Sequence, residues 1–414
     1  MRLHLLAVNP TDSVTEGFLP AAARLGLAVT VVTDQVAAHE RAYARHAAAG
    51  GTLPDLAYLA CDVRDFREVI AAVAATGRPE AVFSNSDHLQ VQTALVADFF
   101  ALPGKDWRAA LRTKNKAELR RALAAGGLDA VRSVELGPEL LASARGPEPL
   151  AAAVRAAGLA YPCVVKPREG VASEDVALVA DGAELAARCR ETAARRPGAA
   201  LVVEEYLTGP LHTLETLGDA RSLHPVAGFA TELSPPPYFI EQRLRLLPGP
   251  APHADQVLAQ LRALGVGFGA CHTEYVVQGE RARLIEVNYR AIGDRCDLLL
   301  ADVLDLPLFE HVLRVHTGQP LPATLATARG GRARMEYVTA DRAGTLVAAP
   351  GPSETEHGGV RIAYHPLREI GSHRPLHHTN RDFLGVLRAT GADQDAVDRA
   401  VAGFLAAHTW EIRP

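Results

Sequence analysis

The first third of the chain alternates short apolar segments with helical patterns, and this order restricts the folds that it can adopt. The segments follow one another as strand 3–8, helix 16–25, strand 28–32, helix 66–75 and strand 81–83. Gly26 and Gly77 stand just after the two helical patterns, where glycine commonly ends a helix. Strands separated by helices form parallel sheets, because each helix returns the chain to the same end of the sheet. We therefore predict a Rossmann-like parallel sheet within residues 1–112.

The chain beyond residue 112 lacks this simple alternation, which indicates further domains. Helical and strand patterns of mixed order predict a second region over 113–320, and its last helix is expected at about 297–317, before Gly318. Short strand patterns and a terminal helix predict a small α+β domain over 321–414, with elements near 333–338, 344–348, 360–364 and 395–407.

The charge balance excludes several classes of partner. The chain has 43 Lys and Arg against 48 Asp and Glu, a net charge of −5, so neither nucleic acid nor an anionic membrane is an expected partner. The apolar start is interrupted by Asn9, Pro10 and Asp12, and no apolar stretch approaches the ~18 residues of a membrane span. We therefore expect neither a membrane span nor a secretory signal. The five cysteines form no C-x-x-C pair, so reduced thiols in a cytoplasmic protein are expected.

A predicted β-hairpin carries the strongest chemical signal. Segment 283–288 reads as a strand, and its period of two places Glu286 and Asn288 on one face. If residues 279–281 form the hairpin loop, Glu274 on the preceding strand lies opposite Glu286. Facing carboxylates destabilise a sheet unless a cation lies between them, and oxygen ligands without His or Cys suit Mg²⁺. The alternative is a solvated sheet face with ordinary acidic residues; the adjacent Arg290 favours the metal–phosphate interpretation.

A lysine at the end of an apolar strand is the second signal. Lys166 follows the segment 163–165, and burying an ammonium group is costly unless it meets an anion. The chain contains only four lysines, and turn 168–173 after Lys166 could offer main-chain N–H groups to phosphate. Segment 201–207 then runs from a strand into a turn that could hold a flat heterocycle. A surface turn and a plain strand end are the alternatives for these two segments.

In this order, the motifs resemble those of the ATP-grasp superfamily over about residues 113–318, and the preceding region suits the domain before the grasp. The resemblance implies an α/β fold with a Rossmann-like N-terminal sheet, a two-lobed ATP-grasp module and a small C-terminal α+β domain. It implies ATP and one or two Mg²⁺ ions, with Mn²⁺ as an alternative. Lys116 and Lys166 would bind phosphate, and loop 169–173 with Ser173 would cover it. The implied contacts to the nucleotide base are Glu204, Glu205, Tyr206 and Leu207, and His212 would also contact the nucleotide.

The resemblance also implies metal ligands and a reaction. Glu274, Glu286 and Asn288 would bind the metal, and Arg290 would be the catalytic arginine that faces phosphate or the substrate carboxylate. The chain is most similar to carboxylate–amine ligases of the L-amino acid ligase type. These join a carboxylate and an amine through an acylphosphate, releasing ADP and phosphate. Two departures from the family pattern stand out: the loop after Lys166 is poor in glycine, and Leu211 occupies a position where many relatives carry Glu.

The small-molecule substrates and the setting of the reaction follow from the same resemblance. We expect amino-acid-like substrates, with contacts from 86–88 and from Arg243 and Arg245, and natural-product biosynthesis as the setting. A homodimer is the expected assembly, because dimers are the commonest oligomers. The C-terminal histidines match no metal-ligand spacing; they are His357, His365, His373, His377 and His378.

Two other functions remain open at this point. A biotin-carboxylase-like enzyme would form carboxyphosphate from bicarbonate, but the chain is short for one and lacks a biotin-carrier lysine signature. A non-catalytic ATP-binding regulator would need only the nucleotide cradle. The retained set Glu274, Glu286, Asn288 and Arg290 favours an enzyme over a regulator.

Overall fold

The computed structural model describes residues 1–128, 131–143, 146–325 and 330–414. The N-terminal region forms a four-stranded parallel sheet in the order β3-β2-β1-β4, which confirms the predicted parallel sheet. A helix and a strand that we did not predict, α2 and β3, lie between the second and third predicted strands. The elements are β1 (Arg2–Leu6), α1 (Leu19–Arg24, preceded by a π-helical segment Ser13–Phe18), β2 (Ala28–Thr33), α2 (Val36–Ala48), β3 (Leu56–Ala60), α3 (Phe66–Thr76), β4 (Ala81–Phe83), α4 (Gln90–Phe99) and α5 (Trp107–Lys114).

A second sheet, antiparallel and four-stranded, forms a small lobe in the order β5-β8-β6-β7. Its elements are α6 (Lys116–Ala125), β5 (Ser133–Leu136), α7 (Pro138–Ser143), α8 (Glu148–Ala156), β6 (Cys163–Pro167), β7 (Ala177–Val179), α9 (Gly182–Arg195) and β8 (Leu201–Glu205). Cys163, Val165 and Leu201 belong to the core that this sheet shares with α8 and α9. Because side chains alternate along a strand, Lys166 and Glu204 point to the opposite face.

A large antiparallel sheet begins after the small lobe and runs across the predicted boundary at residue 320. Its strand order is β14-β13-β9-β11-β12, with β10 beside β9, and it continues from β12 through the strands Arg332–Thr339, Phe383–Gly391, Val360–Pro366 and Ser353–His357. The elements before that boundary are β9 (Leu211–Asp219), β10 (Leu223–Ala227), β11 (Phe229–Leu233), β12 (Glu241–Leu246), α10 (Ala254–Leu264), β13 (Phe268–Gln278), β14 (Arg281–Asn288), α11 (Cys296–Val303) and α12 (Leu308–His316). The boundaries at 112 and 320 stay predictions; α5 spans the first.

The C-terminal strands extend the large sheet and add a three-stranded sheet in the order β19-β16-β21. They are β15 (Arg332–Thr339), β16 (Gly344–Ala348), β17 (Ser353–His357), β18 (Val360–Pro366), β19 (His373–Arg374), β20 (Phe383–Gly391) and β21 (Glu411–Arg413), with α13 (Gln394–Ala407) before the last. No helix among the described residues combines the length and the apolar character needed to cross a membrane. All five cysteines are free thiols, as expected.

The single helix predicted at 297–317 is wrong, because the chain forms α11 and α12 there. Asp305 has a left-handed backbone with φ of 47°, and Pro307 lacks the N–H that a continuous helix needs. The second helix packs against the N-terminal region, where the rings of Phe18 and Phe309 lie 4.9 Å apart. A Cβ on Gly17 would lie 2.3 Å from the Phe309 ring. The close approach of these two segments therefore requires glycine at position 17.

The hairpin places Glu274 opposite Glu286, as predicted, but by a different route. The turn is two residues long rather than three, since Gln278 pairs with Arg281. A β-bulge at Ile285 then inserts one residue and restores the expected pairing from Glu286 onward. The error in loop length and the unforeseen bulge cancel, so the two carboxylates meet across the strands.

We predict that Asn115→Ala destabilises the fold by about 1 kcal/mol, the usual effect of losing an N-terminal helix cap. The Asn115 side-chain oxygen accepts from the main-chain N–H groups of Ala117 and Glu118, both at 3.1 Å, and so caps α6 directly before Lys116. Urea unfolding would measure the loss. Asn115→Asp keeps the acceptor and serves as the control; an equal loss in both variants would contradict the capping role.

Candidate active site

One cavity of about 810 Å³ lies between the small lobe, the hairpin and the N-terminal sheet. The predicted nucleotide, metal and catalytic residues other than His212 line it: Lys116, Lys166, Ser173, Glu204, Glu205, Tyr206, Leu207, Glu274, Glu286, Asn288 and Arg290. The loops after β1 and β4 close one end with Asn9, Asp12 and 85–88. The strand order reverses between β1 and β4, and open α/β sheets commonly bind ligands at such a point.

The hairpin presents an oxygen-rich face to this cavity. Glu274 and Glu286 are paired across the strands, and Asn288 follows on the same face two residues later. Two carboxylates and an amide oxygen are hard donors that fit Mg²⁺ sharing its coordination with phosphate and water. Among the described residues, no group of three or more His, Cys, Asp or Glu side chains could hold a metal by itself. The donor set therefore fits a metal that is completed by a bound substrate.

Lys116 is anchored to this face by an ion pair. Its ammonium lies 2.6 Å from a Glu286 carboxylate oxygen, and the lysine is buried. Burial alone would lower the pKa of Lys116, but the Glu286 carboxylate outweighs burial and raises that pKa. The first residue of α6 thus carries a permanently charged ammonium group into the cavity.

Lys166 is held by a second, fully buried ion pair. Its ammonium lies 2.7 Å from Glu204, and the guanidinium of Arg120 donates to the same carboxylate at 2.8 and 3.0 Å. Burial alone would raise the pKa of Glu204, but Arg120 and Lys166 lower it to about 2. Burial also lowers the pKa of Lys166, and the Glu204 charge opposes that effect. Glu204 therefore holds Lys166 in position and stabilises its charged form.

The next carboxylate along β8 is also engaged. Glu205 accepts from Arg283 at 2.6 Å and from the main-chain N–H of Arg132 at 2.8 Å. With both carboxylates bound to arginines, the groups of this segment available to a nucleotide base are the main chain and the side chains of Tyr206 and Leu207.

The loop expected to cover phosphate touches several other parts of the protein. The Ser173 hydroxyl donates to the Phe239 carbonyl at 2.8 Å, and the Ala172 carbonyl accepts from the Asn380 main chain at 3.2 Å. Ala172 and Ser173 both have positive φ, at 55° and 56°. The loop is fixed over the cavity by β11–β12 and by the C-terminal region.

Three predicted site residues lie elsewhere: His212, expected at the nucleotide, and Arg243 and Arg245, expected at the substrate. Leu211 and Thr213 line the cavity, but His212 between them faces the other side of β9, 6.0 Å from the ring of Tyr275. Arg243 forms an ion pair with Glu336 at 2.7 Å, and Arg245 pairs with Glu232 at 2.5 Å. The structure does not bring these three side chains to the cavity, because strand alternation and nearby carboxylates direct them away.

Sequence reasoning missed a group of acidic residues beside Arg290. Glu241 and Asp294 line the cavity, and burial raises the pKa of both, that of Glu241 to about 8. His272 lies between Glu215 at 2.8 Å and Glu274 at 3.4 Å. Burial alone would lower the pKa of His272, but these carboxylates raise it to about 10. For His272, period two along β13 was a signal in the sequence, because it places His272 on the same face as Glu274.

The N-terminal loop after β4 adds a further ion pair to the cavity wall. Asp87 binds the ammonium of Lys114, which also donates to the Gly170 carbonyl at 3.3 Å. Burial would raise the pKa of Asp87, but Lys114 and then Arg290 lower it. Asp87 and its neighbours Ser86 and His88 line the cavity, as expected.

Solved structures share this architecture over the whole chain. The fold is similar to that of an L-amino acid ligase from Bacillus licheniformis, with a TM-score of 0.78, 19% identity, and coverage of 100% of this chain and 99% of that one. The chain has the ATP-grasp fold. A second similar structure is the biotin carboxylase domain of a 2-oxoglutarate carboxylase from Hydrogenobacter thermophilus, in complex with MgADP, ADP and bicarbonate. It matches with a TM-score of 0.69, 14% identity, and coverage of 100% and 90%.

Sequence comparison with curated proteins gives one relative. An uncharacterized protein of Sinorhizobium fredii, y4rH, is 27% identical over 339 residues, which are 76% of this chain and 64% of that protein. The chain thus spans less than two thirds of the length of this curated relative. No protein-family model matches the chain. The predicted fold class is confirmed by the structural matches.

We predict that Glu204→Gln destabilises the fold most at neutral pH and that its difference from the wild type shrinks in acid. The folded-state pKa of Glu204 is about 2, below its ordinary value of 4.5. Stabilisation from its charge is therefore complete above pH 4.5 and is lost as the pH falls toward 2. A shift of this size corresponds to about 3 kcal/mol at neutral pH.

Urea unfolding at neutral pH and near pH 3 would measure this difference. Glu118→Gln is the matched control, because Glu118 pairs with Arg121 on the exposed side of α6 and exposed pairs contribute less than about 1 kcal/mol. A difference for Glu204→Gln that stays constant with pH would refute the buried ion pair as its cause.

Proposed function

We propose that this protein is an ATP-dependent carboxylate–amine ligase that forms an amide bond through an acylphosphate and releases ADP and phosphate. The observation that carries the proposal is the convergence of two buried lysines, an oxygen-rich hairpin face and one arginine on a single cavity. The structural similarity to an L-amino acid ligase across both chains supports this choice.

The polyphosphate of ATP would lie between Lys116, Lys166 and the hairpin. Charge neutralisation and positioning account for most catalysis of phosphoryl transfer, and both lysines enter the cavity already oriented by carboxylates. Glu274, Glu286 and Asn288 would hold Mg²⁺, which, when bound, neutralises phosphate charge. The loop at 169–173 would exclude water, which otherwise hydrolyses an acylphosphate.

The other end of the cavity fits substrates that carry both charges of an amino acid. Arg290 offers a cation to a carboxylate, and Glu241 and Asp294 offer partners to an ammonium group. These two carboxyl groups have raised pKa values because of burial, so a bound cation would stabilise their charged forms. We therefore propose amino-acid-like substrates.

The reaction proceeds in two displacements. A substrate carboxylate oxygen attacks the γ-phosphorus, the bond from that phosphorus to the bridging oxygen breaks, and ADP leaves with its electron pair. The amine nitrogen, free of its extra proton, then attacks the acyl carbon and phosphate leaves. Loss of one more proton from nitrogen gives the amide. Arg290 stabilises the charge on the acyl or phosphoryl oxygens.

A biotin-carboxylase-like reaction is the second candidate, because the similar 2-oxoglutarate carboxylase structure contains MgADP and bicarbonate. Phosphate release from ATP with pooled amino acids distinguishes the two reactions. Release that needs an amine and a carboxylate supports the ligase, release that needs only bicarbonate supports the carboxylase, and no release despite ATP binding supports a regulator. Natural-product biosynthesis, a cytoplasmic location and a homodimer stay predictions from the sequence.

We predict that Lys166→Ala lowers kcat of amino-acid-dependent phosphate release at least ~100-fold while the fold persists. Removal of one charge-stabilising group in other enzymes costs about 10²–10³ in kcat. Thermal unfolding checks that the variant is folded. Arg168→Ala, two residues later on a partly exposed side chain, is the control, and wild-type rates in Lys166→Ala would remove Lys166 from the site.

A similar loss is expected for Glu286→Ala, because it removes a proposed metal ligand and the partner of Lys116. The measurement is phosphate release over a Mg²⁺ titration. Glu280→Ala, in the exposed turn of the same hairpin, should leave activity unchanged. Unchanged metal dependence in Glu286→Ala would exclude the hairpin face as the metal site.

A further inference from the structure

Lys105, in the connection between α4 and α5, is a buried lysine outside the nucleotide region. Its ammonium donates to the Gln90 side-chain oxygen at 2.6 Å and to the main-chain carbonyl of Tyr289. It also lies 4.4 Å from the centroid of the Tyr289 ring. Both acceptors are neutral oxygens, so burial is compensated less well than for Lys116 or Lys166, and it lowers the pKa of Lys105 to about 7.

Tyr289 lies between two residues of the proposed site, Asn288 and Arg290. The main chain on either side of Arg290 is held by the N-terminal region. Lys105 binds the carbonyl of Tyr289, and the side-chain oxygen of Asn85 accepts from the N–H of Ala291 at 3.1 Å. These two contacts fix the direction in which the arginine leaves the chain.

Gln90 connects Lys105 to the loop that carries Asn85. Its side-chain N–H group donates to the carbonyl of Ser84 at 3.1 Å and to that of Ser86 at 2.7 Å. The same glutamine therefore shapes the loop after β4 and receives the ammonium of Lys105. Both of the clamping contacts on segment 289–291 depend on this one arrangement.

We propose that Lys105 is a positioning residue, which sets Arg290 and Asn288 in register with the N-terminal loop at 84–88. The N-terminal region thereby helps to assemble the reacting end of the site in addition to lining it. This inference rests on the proposed function for its kinetic consequence only, since the clamp itself is a property of the fold.

Lys105→Met tests the proposal, because methionine retains most of the buried length and removes the donor. We expect deuterium uptake at the amide groups of 288–293 to be ~3–10-fold faster, the change that corresponds to loss of one buried hydrogen bond. We also expect kcat for amino-acid-dependent phosphate release to fall about tenfold, with the KM for ATP within about twofold. The lysines that face the nucleotide are not touched by this change.

Gln260→Met is the matched control. The Gln260 side chain is also buried, and it donates at 3.0 Å to the carbonyl of Ala282. Ala282 lies on β14, the strand that ends at Asn288, but at the end of that strand away from Arg290. If Lys105→Met and Gln260→Met change uptake at 288–293 and kcat equally, Lys105 is merely structural and the proposal is wrong. Faster uptake and lower kcat in Lys105→Met alone support it.

A second variant keeps the proposal testable if Lys105→Met does not fold. Asn85→Ala removes the other clamping contact from a partly exposed position, and we expect the same faster uptake at 288–293. Unchanged uptake there would contradict the clamp. If the wild-type protein releases no phosphate, the proposed function fails, but the exchange measurements still decide the role of Lys105.

Discussion

The buried carboxylate of Glu204 holds together the parts of the protein that form the cavity. It accepts two hydrogen bonds from Arg120 on α6 and forms an ion pair with Lys166 on the adjacent strand β6. Arg120 also donates to the carbonyls of Leu284 and Ile285, at 2.8 and 3.0 Å, where the hairpin bulges. Since unpaired buried charges are strongly destabilising, helix, small lobe and hairpin are tied to one geometry.

The same requirement organises the rest of the cavity. Lys116 pairs with Glu286, Lys114 pairs with Asp87, and Lys105 donates to neutral oxygens. All four lysines of the chain thus connect separate segments in or next to the cavity. A protein that otherwise uses arginine places its compact ammonium groups where an anionic substrate or a precise main-chain contact is expected. The N-terminal region contributes through Asp87 and Asn85, so the site depends on that region as well as on the small lobe and the hairpin.

Some of the site could be predicted because the signals are local. Period two along 283–288 put Glu286 and Asn288 on one face, and a buried strand ending in Lys166 indicated an anion partner. Other parts depended on long-range geometry. The bulge at Ile285, the inward placement of Glu241 and the outward turn of His212 arise from how strands register with neighbours far away in sequence. The break at Asp305 and Pro307 was local, but it was hidden by a continuous helical pattern.

The sequence by itself determined the strand–helix alternation of the N-terminal sheet, the candidate residues for phosphate and metal binding, and the α/β class, because backbone preferences and side-chain periodicity act over a few residues. Only the tertiary structure decided which carboxylates can bind a ligand and which are already paired with arginines. Glu204 and Glu205 belong to the second group. The tertiary structure also decided that Lys105 reaches Tyr289 across 184 positions. Such pairings follow from the packing of whole elements, since a buried charge is costly unless it meets a partner, wherever in the chain that partner lies.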